Sequence, residues 1–135
     1  MTANREALVR YRLEQAEESI ESAQILFDNG KYRPSVNRSY YAMFYAVPAL
    51  LTQKDIRASK HTGAIAAFNR EFVKKGIFDV EFSRWLQEAF DLRQRADYRE
   101  MFTIAPERAN SILGQARTFL EEVNRRLAGP KEGLL

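Results

Sequence analysis

The stretch RQRADYRE, residues 93–100, sets a guanidinium, a carboxylate and a phenol close together. On a helix, Arg93 and Asp97 share a face, the spacing of an ion pair worth a few tenths of a kcal/mol when exposed. Arg95 and Arg99 repeat that spacing with like charges, which is mildly unfavourable and makes more sense with an anion between them. Tyr98 follows Asp97 directly, and a tyrosine can donate a hydrogen bond or stack on a base. Together these groups suit a nucleotide or RNA. They suit equally a helix end tied down by a packed tyrosine and a salt bridge.

Two other places could carry chemistry. His61, the only histidine, follows Lys60 in RASKH. A histidine moves protons near neutral pH, and an adjacent lysine favours its neutral, basic form. A helix N-terminus flanked by Arg57 and Lys60 also favours an anion such as phosphate. A surface or capping histidine fits the same residues. In NRSYYAMFYA, residues 37–46, helical spacing puts Tyr40, Phe44 and Val47 on one face and Arg38, Tyr41 and Tyr45 on another. The first face is expected in the core. The second suits a core rim, a partner interface or a nucleic-acid surface.

Several chemistries are missing from the sequence. Without cysteine there is no disulfide, thiolate zinc site or cysteine nucleophile. There is no glycine-rich phosphate loop, no G-x-S-x-G and no His/Asp/Glu set with metal-ligand spacing, so no metal or other cofactor is expected.

The elements that must position these residues all read as helices. Residues 3–28 carry Ala7, Leu8, Tyr11, Ala16, Ile20, Ala23 and Phe27 near helical spacing, and Asp28-Asn29-Gly30 makes a turn. A second helix is expected over about 33–52, with Pro34 in its first turn and a kink at Pro48. Ser59 can cap a third helix, which ends at Lys74-Lys75-Gly76. Asp79 can cap a fourth, over roughly 80–100, with Phe82, Trp85, Leu86, Ala89, Phe90 and Leu92 as its apolar stripe. Pro106 opens a fifth, reaching about Leu127, with Ile112, Leu113, Ala116, Phe119, Leu120 and Val123 inward. Long helices with short turns predict an all-α, up-and-down antiparallel bundle of four to five helices. One domain is expected over residues 1–128, with a flexible tail over 129–135.

A length of 135 residues and 45% hydrophobic content fit one soluble globular core. The longest apolar run, AMFYAVPALL, is too short to span a bilayer, and MTANREALVR lacks the apolar core of a secretory leader. A cytoplasmic protein is the expectation. The net charge of +3 is unevenly spread: residues 31–75 hold nine Lys/Arg against two acids, whereas residues 1–30 hold three against six. That basic middle segment suits a phosphate-bearing partner or a solvated face.

NRSYYAMFYAVPALL, then KHTGAIAAFNREFVKKG, then LRQRADY, taken in this order, resemble the HEPN (higher eukaryotes and prokaryotes nucleotide-binding) domain family, in its small stand-alone prokaryotic branch. The resemblance covers about residues 5–127. It implies a four- to five-helix bundle, commonly a homodimer, paired with a minimal nucleotidyltransferase partner, often as a toxin–antitoxin couple. Many relatives are metal-independent endoribonucleases, whose motif is an arginine and a histidine separated by roughly four to six residues, placed at the dimer interface. Here Arg93 is present, but Asp97, Tyr98 or Arg99 stands where that histidine is expected. The resemblance also implies a role for Tyr98 as the acceptor of AMP from the partner.

The leading expectation is a nucleotide- or RNA-binding module with Arg38, Tyr41, Arg57, Lys60, Arg93, Asp97 and Tyr98 as contacts. One rival is an endoribonuclease, in which His61 or Tyr98 helps activate the 2′-hydroxyl and Arg93 and Arg57 stabilise the phosphorane. Another is a purely structural partner subunit with no nucleotide affinity, in which only complex formation is sensitive to Tyr41 or Tyr45.

Overall fold

The computed structural model describes residues 2–58, 61–98 and 102–128. Helix α1 spans Thr2–Asp28, α2 Tyr32–Gln53, α3 His61–Phe68, α4 Val80–Tyr98 and α5 Pro106–Ala128. A π-helical turn, Asn69–Val73, continues α3 without a break. Among the described residues there is no strand, and no helix is long and apolar enough to cross a membrane. The cap expected at Ser59 and the tail at 129–135 lie outside the described residues.

The α1–α2 turn closes through Gly30 N–H to the Phe27 carbonyl at 3.0 Å and Lys31 N–H to the Leu26 carbonyl at 2.8 Å. Gly30 takes φ +74°, a left-handed value that glycine adopts without the usual Cβ penalty. Small buried residues line the two helices, Ala16, Ser19 and Ala23 on α1 and Ser35, Ser39, Ala42 and Ala46 on α2. Ser35 Oγ donates to the Ala23 carbonyl at 2.8 Å across them.

Helix α2 is the central post, packed against α1, α3, α4 and α5. Pro34 lies in its first turn, and the helix continues past Pro48 to Gln53. The start of α2 meets the end of α4, where Arg33 Nη2 donates to the Ala96 carbonyl. The end of α2 meets the end of α5, where Gln53 Nε2 donates to the Leu127 carbonyl at 3.2 Å. The long helices therefore alternate in direction, as the pattern predicts.

The core follows the α4 and α5 stripes. All six inward residues expected on α5 are buried, and Phe119 packs tilted against Phe68 and Phe78 and edge-on against Phe82. Near its end, α5 buries the carboxylate of Glu122 beside Arg125 and Arg126, with Arg126 Nε at 2.7 Å. Helix α1 needs a correction. Ala7, Leu8 and Tyr11 are exposed, and the inward stripe runs instead through Val9, Leu13, Ala16, Ile20, Ala23 and Phe27. The reason is angular: five residues separate Tyr11 from Ala16, which turns them about 140° apart, whereas a stripe returns every three or four residues.

Candidate nucleotide-binding site

Helices α2 and α4 bring together four of the residues singled out from sequence. On α2, Tyr40 is fully buried, stacked on Phe44 and tilted against Phe90, with ring centres 6.0 and 5.6 Å away. Tyr41, its neighbour, is half-buried and packs edge-on against Tyr40 at 5.1 Å. Arg93 enters from α4 and places its guanidinium carbon 5.6 Å from the centre of the Tyr40 ring and 5.1 Å from that of Tyr41. Arg38 places its own 4.9 Å from the Tyr41 ring. One tyrosine ring is thus shared by two guanidiniums. Each such contact contributes about 0.5–2 kcal/mol, depending on desolvation.

Asp97 completes the group. Its Oδ2 lies 3.4 Å from Arg93 Nε, one helical turn away. Arg93 is 18% exposed at its side chain, and its Nε is buried without a hydrogen-bond partner, so the pair is electrostatic rather than hydrogen-bonded. Asp97 also lines a groove with Arg33, Pro34 and Asn37. Two cations and one carboxylate at the edge can hold a phosphate-bearing, base-bearing ligand: guanidiniums take the phosphate, and the carboxylate accepts from hydroxyl or amino groups.

The sequence pattern of the HEPN domain family matches residues 9–126. The chain belongs to the HEPN family. It is 36% identical to a protein of Thermotoga maritima named "UPF0332 protein", over 90% of this chain and 92% of that one. It is 38% identical to each of two Methanocaldococcus jannaschii proteins named "Putative toxin", over 85% of this chain in both cases and 78% and 85% of theirs.

The other expected residues of this HEPN chain are placed elsewhere. Arg57 follows α2 at the opposite end of that helix and lines a groove with Asn4, Arg5, Leu8, Thr52, Asp55 and Ile56. The stretch from Tyr41 to Gln53 alone spans roughly 18 Å of helix axis. Lys60 lies outside the described residues. His61 begins α3, and its side chain likewise lies outside them. Tyr98 is 80% exposed and shares a shallow surface with Asp91, Gln94 and Arg95. Five residues on from Arg93, it faces about 140° away around α4. RQRADYRE therefore divides into Arg93, turned inward onto the tyrosines with the exposed Asp97 beside it, and an outward face carrying Tyr98; Arg99 lies outside the described residues.

Sequence reasoning passed over Arg33 and Asn37. Arg33 reaches Ala96 across 63 residues, a contact that no local pattern encodes. Asn37 was visible as a polar residue ahead of the aromatic cluster, but nothing in its spacing pointed to α4.

Burial pushes the Tyr40 hydroxyl upward from its usual pKa, with Tyr41 adding to the rise and Arg93 opposing it. The folded state thus keeps this proton after the unfolded chain, titrating near pH 10, has released it. The associated stability is fully present below that pH and is lost as pH rises above it, at most about 1.4 kcal/mol per pH unit for one proton. Urea midpoints at pH 9 and 11 should show a smaller alkaline loss for Tyr40→Phe than for the unsubstituted chain. Equal losses would rule the shifted hydroxyl out as a source.

Proposed function

We propose that this HEPN chain is a toxin-type nucleotide- or RNA-binding module that works in the cytoplasm as a homodimer with a minimal nucleotidyltransferase partner. The observation that carries the binding role is the Tyr41 ring shared by Arg38 and Arg93, with Asp97 at its edge. Two guanidiniums over one aromatic ring, Arg38 bonded to Asn37 and Arg93 paired with Asp97, still have N–H groups to offer a phosphodiester. The names of the two Methanocaldococcus jannaschii relatives support the toxin part. Tyr98, exposed on the outward face of α4, is in this proposal the hydroxyl offered to the nucleotidyltransferase as an AMP acceptor.

Fluorescence anisotropy with a labelled single-stranded RNA pool tests the proposal. Binding is expected at 50 mM salt and should weaken roughly tenfold to twentyfold at 200 mM, as about three phosphate contacts would give. No binding at 50 mM overturns it. The same mixtures, incubated with EDTA and run on a gel, separate binding from cleavage. Intact RNA fits the module. RNA cut by the unsubstituted chain but not by Arg93→Ala would put a metal-independent endoribonuclease in its place. Co-expression with the nucleotidyltransferase should yield a complex, and its absence would remove the partner from the proposal.

A further inference from the structure

An open groove of about 450 Å³ lies between the first turns of α2 and the last turn of α4, a volume within the range of small-ligand sites. Its polar walls are held in defined ways. Arg33 is fixed by donating to the Ala96 carbonyl. Asn37 accepts on Oδ1 from Arg38 Nε at 3.2 Å and from Arg38 Nη2 at 3.1 Å. Those two bonds orient the amide, so that Asn37 offers its Nδ2 donor. Asp97 is an acceptor with two oxygens, placed by Arg93 one turn earlier. The groove thus presents a donor, a double acceptor and a cation along one wall set, with Pro34 as its apolar lining.

We infer that this groove is a nucleobase subsite selective for guanine. The inference rests on the nucleotide-binding role proposed above and specifies which base that role favours. Guanine carries two adjacent donors, N1–H and the 2-amino group, beside the O6 acceptor. The Asp97 carboxylate accepts from both donors while Asn37 Nδ2 donates to O6. Adenine and cytosine present one amino group to the carboxylate, and uracil one ring N–H, so each forfeits one of the three bonds. The remaining N–H groups of Arg33 serve the phosphate of the same nucleotide.

Calorimetric titration with GMP, IMP, AMP and XMP tests this on the full chain. IMP is GMP without the 2-amino group, and GMP is expected to bind roughly tenfold tighter than IMP or AMP, the worth of one hydrogen bond to a charged acceptor. Asp97→Asn should reverse the order of GMP and XMP. The new amide accepts from N1–H and donates to the 2-oxygen of xanthine, whereas it faces the 2-amino group of guanine donor to donor. A merely damaged site would not gain XMP affinity. Equal GMP and IMP affinities, an unreversed order in Asp97→Asn, or RNA binding with no mononucleotide binding each overturns the guanine subsite and leaves the binding role standing. Failure of both RNA and every mononucleotide to bind overturns the two together.

Discussion

Replacing Phe119 with alanine is expected to destabilise the bundle by about 3–5 kcal/mol, a large share of the 5–15 kcal/mol that holds a typical domain. Phe119 is fully buried, and its ring centre lies 5.6 Å from Phe68, 5.8 Å from Phe82 and 6.3 Å from Phe78. Those rings belong to α3, to the first turn of α4 and to the segment between them. One truncation therefore opens a void that three elements would have to move together to fill. Helical neighbours cannot relax into it independently, because each is also fixed to α2 or to its own turn. Thermal melting should drop by roughly 10–20 °C for a chain of this size. Phe119→Leu, which keeps most of the volume, should lose much less. A loss below about 1 kcal/mol for the alanine variant would show that this cluster collapses freely and is not the anchor described here.

The same cluster shows what a sequence can and cannot tell about such a bundle. The α5 stripe was legible because Ile112, Leu113, Ala116, Phe119, Leu120 and Val123 return every three or four residues and are bounded by Pro106 at the start. Stops were legible for local reasons as well: Gly30 and Gly76 both take positive φ where the chain leaves a helix. Helix α1 misled because apolar residues occur on both of its sides, and Tyr11 and Leu8 are simply uncovered. The residue types of the site, Arg38, Tyr41, Arg93 and Asp97, could be picked out from composition and spacing. Their assembly could not, since the Arg93–Tyr41 contact spans two helices. Nor could spacing alone say that Arg57 sits at the far end of α2, or that Tyr98 looks away from Arg93, until helix boundaries and packing were known.

The second large effect is expected at Arg93, and it should divide unequally between stability and binding. Arg93→Ala removes a half-exposed ion pair at 3.4 Å, worth a few tenths of a kcal/mol, and two cation–aromatic contacts. The stem that covers Tyr40 is lost as well, so a stability cost of about 1–2 kcal/mol is expected. The fold should survive that cost. RNA affinity should fall further, by roughly tenfold or more, because one guanidinium–phosphate contact disappears and its partner, Asp97, is left facing the same ligand. Arg93→Lys separates charge from shape. It keeps the positive charge, and so should keep most of the salt dependence, but an ammonium cannot lie flat on two tyrosine rings while forking to a phosphate. Its affinity should fall between those of the unsubstituted chain and the alanine variant. Because Arg38 and Arg93 share the Tyr41 ring, the losses from Arg38→Ala and Arg93→Ala should not add: the loss in the double variant should differ from their sum by more than about 0.5 kcal/mol. Anisotropy titrations with urea midpoints on the unsubstituted chain and these four variants provide the comparison. If Arg93→Ala binds RNA as tightly as the unsubstituted chain, or if the double variant is strictly additive, the shared ring is packing alone and the ligand site must lie elsewhere on the bundle.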